Sequence, residues 1–450
     1  MDDDTFYYSH DTDLDFSFTS TITDRTFASS SARSSLARSS LTLSFNERIS
    51  TASSPSNHHH PNQIRPHRKH DPHWSAIRSA KNLSPDNRLH LHHLKLIRHL
   101  GTGNLGRVFL CRIKDYPNSN PNSYFALKVV DKDLISPKKL FDIQTESEIL
   151  SLLDHPFLPT LYAHIEVSHY TCLLIDYCSG GDLHSLLRKQ PNYRLPIQAV
   201  KFYAAEVLIA LEYLHSLGIV YRDLKPENIL LKEDGHIMLS DFDLCFKSDV
   251  VPKIHFGEFV VEPTGAFSKS CVGTHEYLAP ELVNGNGHGN AVDWWAFGVL
   301  IYELIYGTTP FKGVNKETTL RNIASSRDMK FNALTEDDKE MLAVKDLIEK
   351  LLIKDPSKRM GSTRGAAEIK KHPFFNGVKW ALIRSYRPPE VRGGLVRKSK
   401  SHVSGIHRRR KWWWKGLTFL LKKNKGSKVS HNYSSNSCGI VNNNNRSNYY

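Results

Sequence analysis

Three residues inside the stretch YRDLKPENIL, Tyr221 to Leu230, have the types and spacing of a phosphoryl-transfer centre: an acid at Asp223, a cation at Lys225 and an amide at Asn228. Moving a phosphoryl group requires a protein to position a hydroxyl, accept its proton, neutralise developing charge and hold the ligands of a metal. Asp223 suits the base, Lys225 the developing charge and Asn228 a metal ligand. A further carboxylate follows in LSDFDLCF, where Asp241 is a candidate metal ligand and Asp243 stands two places on. Upstream, YFALKVV sets Lys128 on an alternating strand among Ala126, Leu127, Val129 and Val130. An ammonium among apolar neighbours needs a partner. Glu146, or else Glu148, on the following helical stretch can supply it while Lys128 reaches two phosphates.

The stretch GTGNLGRV, Gly101 to Val108, lies between two predicted strands. Glycines there let the backbone approach phosphate oxygens closely and turn its amides toward them. The same spacing opens dinucleotide-binding folds, but that version runs from strand into helix, whereas this loop runs from strand to strand. A polar turn closing a helix would explain YRDLKPENIL alone. It would not explain the loop, the lysine and the second acid at matching separations.

These groups need elements to hold them. Short strands are expected at Leu94 to Leu100, Arg107 to Ile113 and Tyr124 to Val130, then a helix near Pro137 to Leu152 and strands near Leu161 and Leu173. Beyond Gly181 the pattern is mostly helical. Between Pro196 and Leu217, Val200, Tyr203, Ala204, Val207, Leu211 and Leu214 fall at helical spacing, and Gly218 ends the run. A strand-rich part of about 80 residues leading into a helical part of about 200 implies an α+β, bilobal fold with a cleft between the lobes.

The ends differ from this body. Residues 1–90 read as a disordered Ser/Thr-rich segment, beginning with six acids between Asp2 and Asp15 and no Lys or Arg among them. That acidic start excludes a secretory or transit peptide. The histidines His58, His59, His60, His67, His70 and His73 read as a solvated linker, with metal binding the other reading. The 450-residue chain carries a net +14, all of it beyond Glu390, where fourteen Lys or Arg and no acid occur. Such a tail implies an anionic partner. In KWWWKGLTFLLKK, Lys411 to Lys423, helical spacing lines up Lys411, Lys415, Thr418 and Lys422 and leaves Trp412, Trp413, Trp414, Leu417, Phe419, Leu420 and Leu421 on an apolar surface. This segment is too short to span a bilayer but suits its interface; packing onto the folded body is the other reading. No recognition module for nucleic acid accompanies the tail. The six cysteines are scattered and read as reduced thiols.

Residues 94–375 resemble the eukaryotic protein kinase catalytic domain: the Gly-rich loop, Lys128, Tyr221-Arg-Asp223, Asp241-Phe-Asp243, Ala279-Pro-Glu281, Asp293 and Arg359 come in that family's order. KPEN resembles its serine/threonine branch, and GTHEYLAPE and DWWAFGVLIYE resemble the AGC group. Asp-Phe-Asp with extra residues before Ala-Pro-Glu is similar to the plant AGC VIII kinases. TDLDFSFTST, SSSARSSLARSSLTLSFN and SKSCVGTHEYLAPELV resemble the WAG and PINOID kinases among them.

The resemblance implies ATP and Mg2+ as cofactors. It divides the domain into an N-lobe, 94–176, and a C-lobe, 177–375, with an activation-loop insert at about 247–267 and an AGC-type extension with the basic tail at 376–450. Catalytic roles then fall to Asp223, Lys225, Lys128 and Glu146, and metal binding to Asn228 and Asp241. The nucleotide would meet Leu100, Gly101, Thr102, Gly103, Asn104, Leu105, Gly106, Val108 and Lys128, and Asp176 and Cys178 in the hinge. Asp182, Glu227 and Glu303 match positions that read basic substrates, and Thr274 the position that favours Ser or Thr acceptors. Ser270 matches the activation-loop phosphosite, with Arg222 as the partner of its phosphate.

No Phe-x-x-Phe motif follows Phe375, so autophosphorylation of Ser270 is the expected route. Asp243 replaces the usual Gly. Because Asp visits left-handed conformations at modest cost, it is expected there to restrain the loop without removing catalysis. The resemblance further implies PIN auxin efflux carriers as substrates, a role in polar auxin transport and organ growth, and a monomer. It implies a location at the plasma-membrane periphery and in the cytoplasm, with the nucleus also open. The alternative is a pseudokinase scaffold at the membrane, prompted only by Asp243. A nucleic-acid-binding protein, prompted by the tail, would show only weak, salt-sensitive binding.

Overall fold

The computed structural model describes residues 67, 71–82, 84–103, 105–114, 123–250, 253–255, 258–260, 262–263, 265–325, 329, 331 and 339–391. The expectations for most of the N-terminal segment, for Asn104 and for the basic tail with its tryptophans lie outside the described residues.

Strands β1 (Leu94–Thr102), β2 (Arg107–Ile113), β3 (Tyr124–Asp131), β4 (Leu161–Glu166) and β5 (Tyr170–Asp176) form one antiparallel sheet in the order β1-β2-β3-β5-β4. Its register sets Val108 opposite Lys128 and Lys128 opposite Leu173, so the lysine sits on a central strand. Helix α2 (Pro137–Leu152) crosses between β3 and β4; Ser136 caps it by accepting from Lys139 N, and Pro137 begins it where a missing N–H costs nothing. This is the sheet and helix expected from the alternation in the sequence.

The C-lobe is built around α3 (Ile197–Ser216) and α4 (Ala291–Tyr306), with α5 (Lys339–Leu351) packed on α4. Helix α3 buries Val200, Tyr203, Ala204, Val207, Leu211 and Leu214, the residues whose spacing predicts it. Trp294, Trp295 and Phe297 of α4 are fully buried. A helix apolar on nearly every side, as α4 is apart from Asp293 and Glu303, belongs in the centre of a domain. Gly298 lets α5 approach: a Cβ there would stand 2.8 Å from that of Leu351.

Two elements depart from expectation. Residues 71–82 and 84–90 do not continue an unstructured segment. Helix α1 (Pro72–Asn82) buries Ala76, Ile77 and Ala80, with Leu89 beyond it, in a cluster with Leu94, Cys111, Phe125 and Tyr162. Asp71 anchors its start, accepting from His73 N at 2.9 Å, and the Tyr162 hydroxyl lies 2.7 Å from Asp71 Oδ2. Eleven residues cannot sustain a helix alone, so tertiary burial supplies its stability. Within the activation-loop insert, Lys253–His255 and Glu258–Val260 pair as a short antiparallel hairpin.

Candidate active site

The site lies where the sheet of the N-lobe faces the loops that follow α3. On the sheet side, Lys128 Nζ donates to both oxygens of Glu146, at 2.8 and 2.7 Å, and lies 3.4 Å from Asp241 Oδ1 across the cleft. Both members of the pair are buried, at 6% and 3% exposure. Burial alone would lower the lysine's pKa, but Glu146, Asp241 and Asp243 outweigh it and hold Lys128 above its ordinary value. These carboxylates favour the charged ammonium at a point where α2 and the Asp-Phe-Asp segment converge. Phe242 N also donates to Glu146, so that helix and that segment are joined directly.

The Gly-rich turn closes by a bond from Gly103 N to Gly106 O at 2.8 Å. Its glycines divide into two kinds. A Cβ on Gly106 would stand 2.4 Å from Val129 O, so the sheet itself demands glycine there. Among the described residues, chain neighbours aside, nothing lies within 4 Å of where a Cβ of Gly101 would stand, and that of Gly103 would meet only Gly106 O, at 3.9 Å. That open space suits close approach by a phosphate-bearing ligand. Leu105 differs from the expectation that it lines the nucleotide site: it is buried in the core cluster that includes Val130 and Ile143, leaving its backbone as the part that can face the cleft. In the hinge, the Asp176 carboxylate accepts from Thr160 N and lies 2.9 Å from the Tyr162 hydroxyl. Its side chain is thus turned to the back of the lobe, and the main chain is what a base can read. Cys178 Sγ lies 3.6 Å from Met238 Sδ.

On the C-lobe side, Lys225 Nζ donates to Asp223 Oδ2 at 2.7 Å and to Thr274 Oγ1 at 2.9 Å, while Thr274 Oγ1 donates to Asp223 Oδ1 at 3.1 Å. Asn228 Nδ2 donates to the Asp223 carbonyl and carboxylate, at 2.9 and 2.8 Å, which leaves its Oδ1 as the ligand-type atom. Asp241 and Asn228 offer hard oxygen donors that fit Mg2+. The loop is held from below. Asp293 accepts from Tyr221 N and Arg222 N, both at 2.8 Å, and Arg222 is left in the left-handed region at φ 67°. Such a conformation costs a non-Gly residue on the order of 1–3 kcal/mol and persists only where surroundings impose it. Asp241 also has positive φ, 58°, whereas Asp243 does not. Asp243, a residue type that tolerates the left-handed region, is thus not called on to adopt it. The left-handed residue is Asp241, and Asp243 needs no special backbone freedom.

Arg222 extends to the activation segment, with Nη1 2.7 Å from Ser270 Oγ and 3.2 Å from Ser268 Oγ. Its Nε donates to Leu244 O, and its guanidinium lies 4.7 Å from the centre of the Phe246 ring. Further on, Glu281 forms a bidentate pair with buried Arg359, at 2.7 and 2.9 Å, which fixes the end of the segment to the C-lobe.

The acids expected to read a basic substrate fare differently. Glu227 is exposed, 3.6 Å from His184, and Glu303 accepts from the Tyr277 hydroxyl. Burial raises the Glu303 pKa, opposed by Tyr277 and reinforced by Glu227 and Glu276. A cavity of about 190 Å3 beside them is lined by His184, Tyr193, Glu276, Glu303, Thr309 and Lys312, among others. Glu276 is an acid that the sequence reading missed, although it lies inside GTHEYLAPE. Asp182 instead caps the short helix Leu183–Leu187, its two oxygens accepting from Ser185 N and Oγ.

The protein kinase domain family matches residues 94–375. The chain belongs to that family. It is 61% identical to serine/threonine-protein kinase WAG1 of Arabidopsis thaliana, over 97% of this chain and 98% of that protein, and 58% identical to WAG2 of the same plant, over 96% of each. Protein kinase PINOID 2 of Oryza sativa is 43% identical over 73% of this chain and 83% of its own length. The chain is therefore a serine/threonine protein kinase of the plant AGC VIII group, of the WAG and PINOID type.

Proposed function

We propose that this kinase transfers the γ-phosphoryl group of Mg-ATP to serines and threonines preceded by Arg or Lys, and that PIN auxin efflux carriers are its substrates, through which it regulates polar auxin transport and plant organ growth. The observation that carries the chemistry is the convergence of Lys225, Thr274 and Asn228 on the carboxylate of Asp223. Held by these donors, Asp223 orients the acceptor hydroxyl and takes its proton, while Lys225 offsets negative charge on the transferred group. Lys128, fixed by Glu146, orients the phosphates of the nucleotide. Asp241 and Asn228 would hold magnesium, which would supply charge neutralisation of the phosphate oxygens. Glu227, Glu276 and Glu303 give the substrate side of the cleft a negative field that favours upstream arginine.

Phosphate on Ser270, added by the kinase itself, pairs with Arg222 and orders the activation segment. The monomer is held at the plasma-membrane periphery by its basic, Trp-rich tail on anionic lipid. Purified protein incubated with ATP and the cytosolic loop of a PIN carrier, followed by phosphosite mapping, tests this reading. The expected result is phosphate on Ser or Thr with upstream Arg or Lys, falling about tenfold in E303Q. Robust labelling of sites without basic neighbours, at equal rate in E303Q, contradicts the assigned specificity.

A further inference from the structure

The insert before Ala-Pro-Glu sends one side chain into the floor of the catalytic loop. Glu262 is buried at 5% exposure. Its Oε2 accepts from His215 Nδ1 and from Asn290 Nδ2, both at 2.8 Å, and its Oε1 accepts from Ala366 N at 3.4 Å. The other ring nitrogen of His215, Nε2, lies 2.8 Å from Asp293 Oδ2. An imidazole whose two nitrogens both face carboxylates must donate from both, which makes it an imidazolium. Asp293 in turn holds the backbone of Tyr221 and Arg222, immediately before Asp223.

We propose that Glu262 is a positioning residue for phosphoryl transfer: through His215 and Asp293 it holds the catalytic loop in the left-handed turn at Arg222 that presents Asp223. The inference rests on the kinase chemistry assigned above. The fold reserves space for this carboxylate, because a Cβ on Gly365, itself at φ 57°, would stand 1.7 Å from Glu262 Oε1. Nothing but glycine leaves the slot open. The groups facing His215 are Glu262 from the activation segment, Asp293 from α4 and the edge of the Trp294 ring, 4.7 Å between centres. Asp293 in turn faces Arg222 of the catalytic loop and Cys245 of the segment after Asp-Phe-Asp, a thiol that burial and the Asp293 charge keep protonated. Burial would lower the pKa of His215, but Glu262 first and then Asp293 carry it up to about 10. Without the Glu262 charge one anion remains to stabilise the imidazolium, so His215 loses its proton at lower pH and Asp293 loses the cation that fixes its orientation.

The test uses the full-length kinase, a basic serine peptide and the variants E262Q and G365A, each checked for folding by circular dichroism. In E262Q, kcat is expected to fall about tenfold with KM for peptide and ATP within about twofold, the pattern of a group acting only on the transition state. Its kcat should also gain an alkaline loss between pH 7 and 9 that the wild type lacks. G365A, which displaces the carboxylate without removing it, should lower kcat similarly, and the double variant should lose little more than either single one. Histidine-selective NMR of the wild type gives a reading independent of any variant: His215 should stay protonated at pH 9. Wild-type kcat and an unchanged pH profile in E262Q, or a His215 that titrates near 6.5, would overturn the proposal. A wild type that transfers no phosphate would contradict the kinase reading instead, and the histidine resonance would still decide the triad.

Discussion

Replacing Glu146 by Gln removes the charge that holds Lys128 without changing the side chain's shape. The wild-type lysine has two charge-assisted bonds to Glu146 and a longer contact with Asp241. Removing one partner of a buried pair costs about 3–5 kcal/mol, because the other charge stays buried. Here the Gln oxygen can still accept one bond and Asp241 can take up part of the charge, so the cost should be reduced to about 2–3 kcal/mol. For a folded body of this size that corresponds to a fall in Tm of about 5 °C.

The rate effect should be larger than the stability effect. A Lys128 freed to lean on Asp241 both misplaces the phosphate-orienting cation and engages the metal-binding carboxylate, and a loss of about 3–4 kcal/mol in the transition state is about 10²- to 10³-fold in kcat/KM. Differential scanning fluorimetry and steady-state kinetics with ATP measure the two quantities on the same sample. A double variant, K128M/E146L, separates the contributions: with both charges removed the Tm should recover toward wild type while activity stays lost. An E146Q protein with unchanged Tm and kcat/KM within twofold of wild type would refute the reasoning.

Asp243→Gly should retain activity within about tenfold, since the residue needs no left-handed backbone, whereas Asp241→Ala should lose nearly all of it with a metal ligand gone; peptide phosphorylation distinguishes them. Ser270→Ala should lower activity, and Lys128→Met purified from a host without other kinases should carry no phosphate at Ser270, as mass spectrometry can show. His155 is buried, and burial lowers its pKa from 6.5 to about 3, so it takes up a proton only on unfolding. Its contribution to stability is complete above pH 6.5 and is lost as pH falls toward 3, with a slope of up to about 1.4 kcal/mol per pH unit. Denaturant titrations of wild type and His155→Phe should differ by that slope.

The parts legible in the sequence are those whose signal is local. Helix α3 announces itself through Val200, Tyr203, Val207 and Leu214, and Asp223, Lys225 and Asn228 lie within one loop, so their spacing alone displays the chemistry. An ammonium on an apolar strand demands an anion, and the next helix offers Glu146 or Glu148; the structure pairs Lys128 with Glu146. What escaped depends on distant contacts. Helix α1, at eleven residues, is too short to form without the sheet it packs on. Glu262 reads as one charge in a mixed insert until folding brings it to His215. The left-handed turn at Asp241 is not legible, because residue propensity says which types tolerate such a turn but not which one the chain places there.

The central claim is that Asp223 serves as the base for phosphoryl transfer to a hydroxyl. The most direct measurement is the initial rate of labelling of a serine peptide from γ-labelled ATP by the purified wild type and by Asp223→Asn, which keeps the shape and much of the hydrogen bonding. The account expects transfer by the wild type and a rate about 10²- to 10⁴-fold lower in the variant, with ATP affinity little changed. Transfer by Asp223→Asn within tenfold of wild type would contradict it.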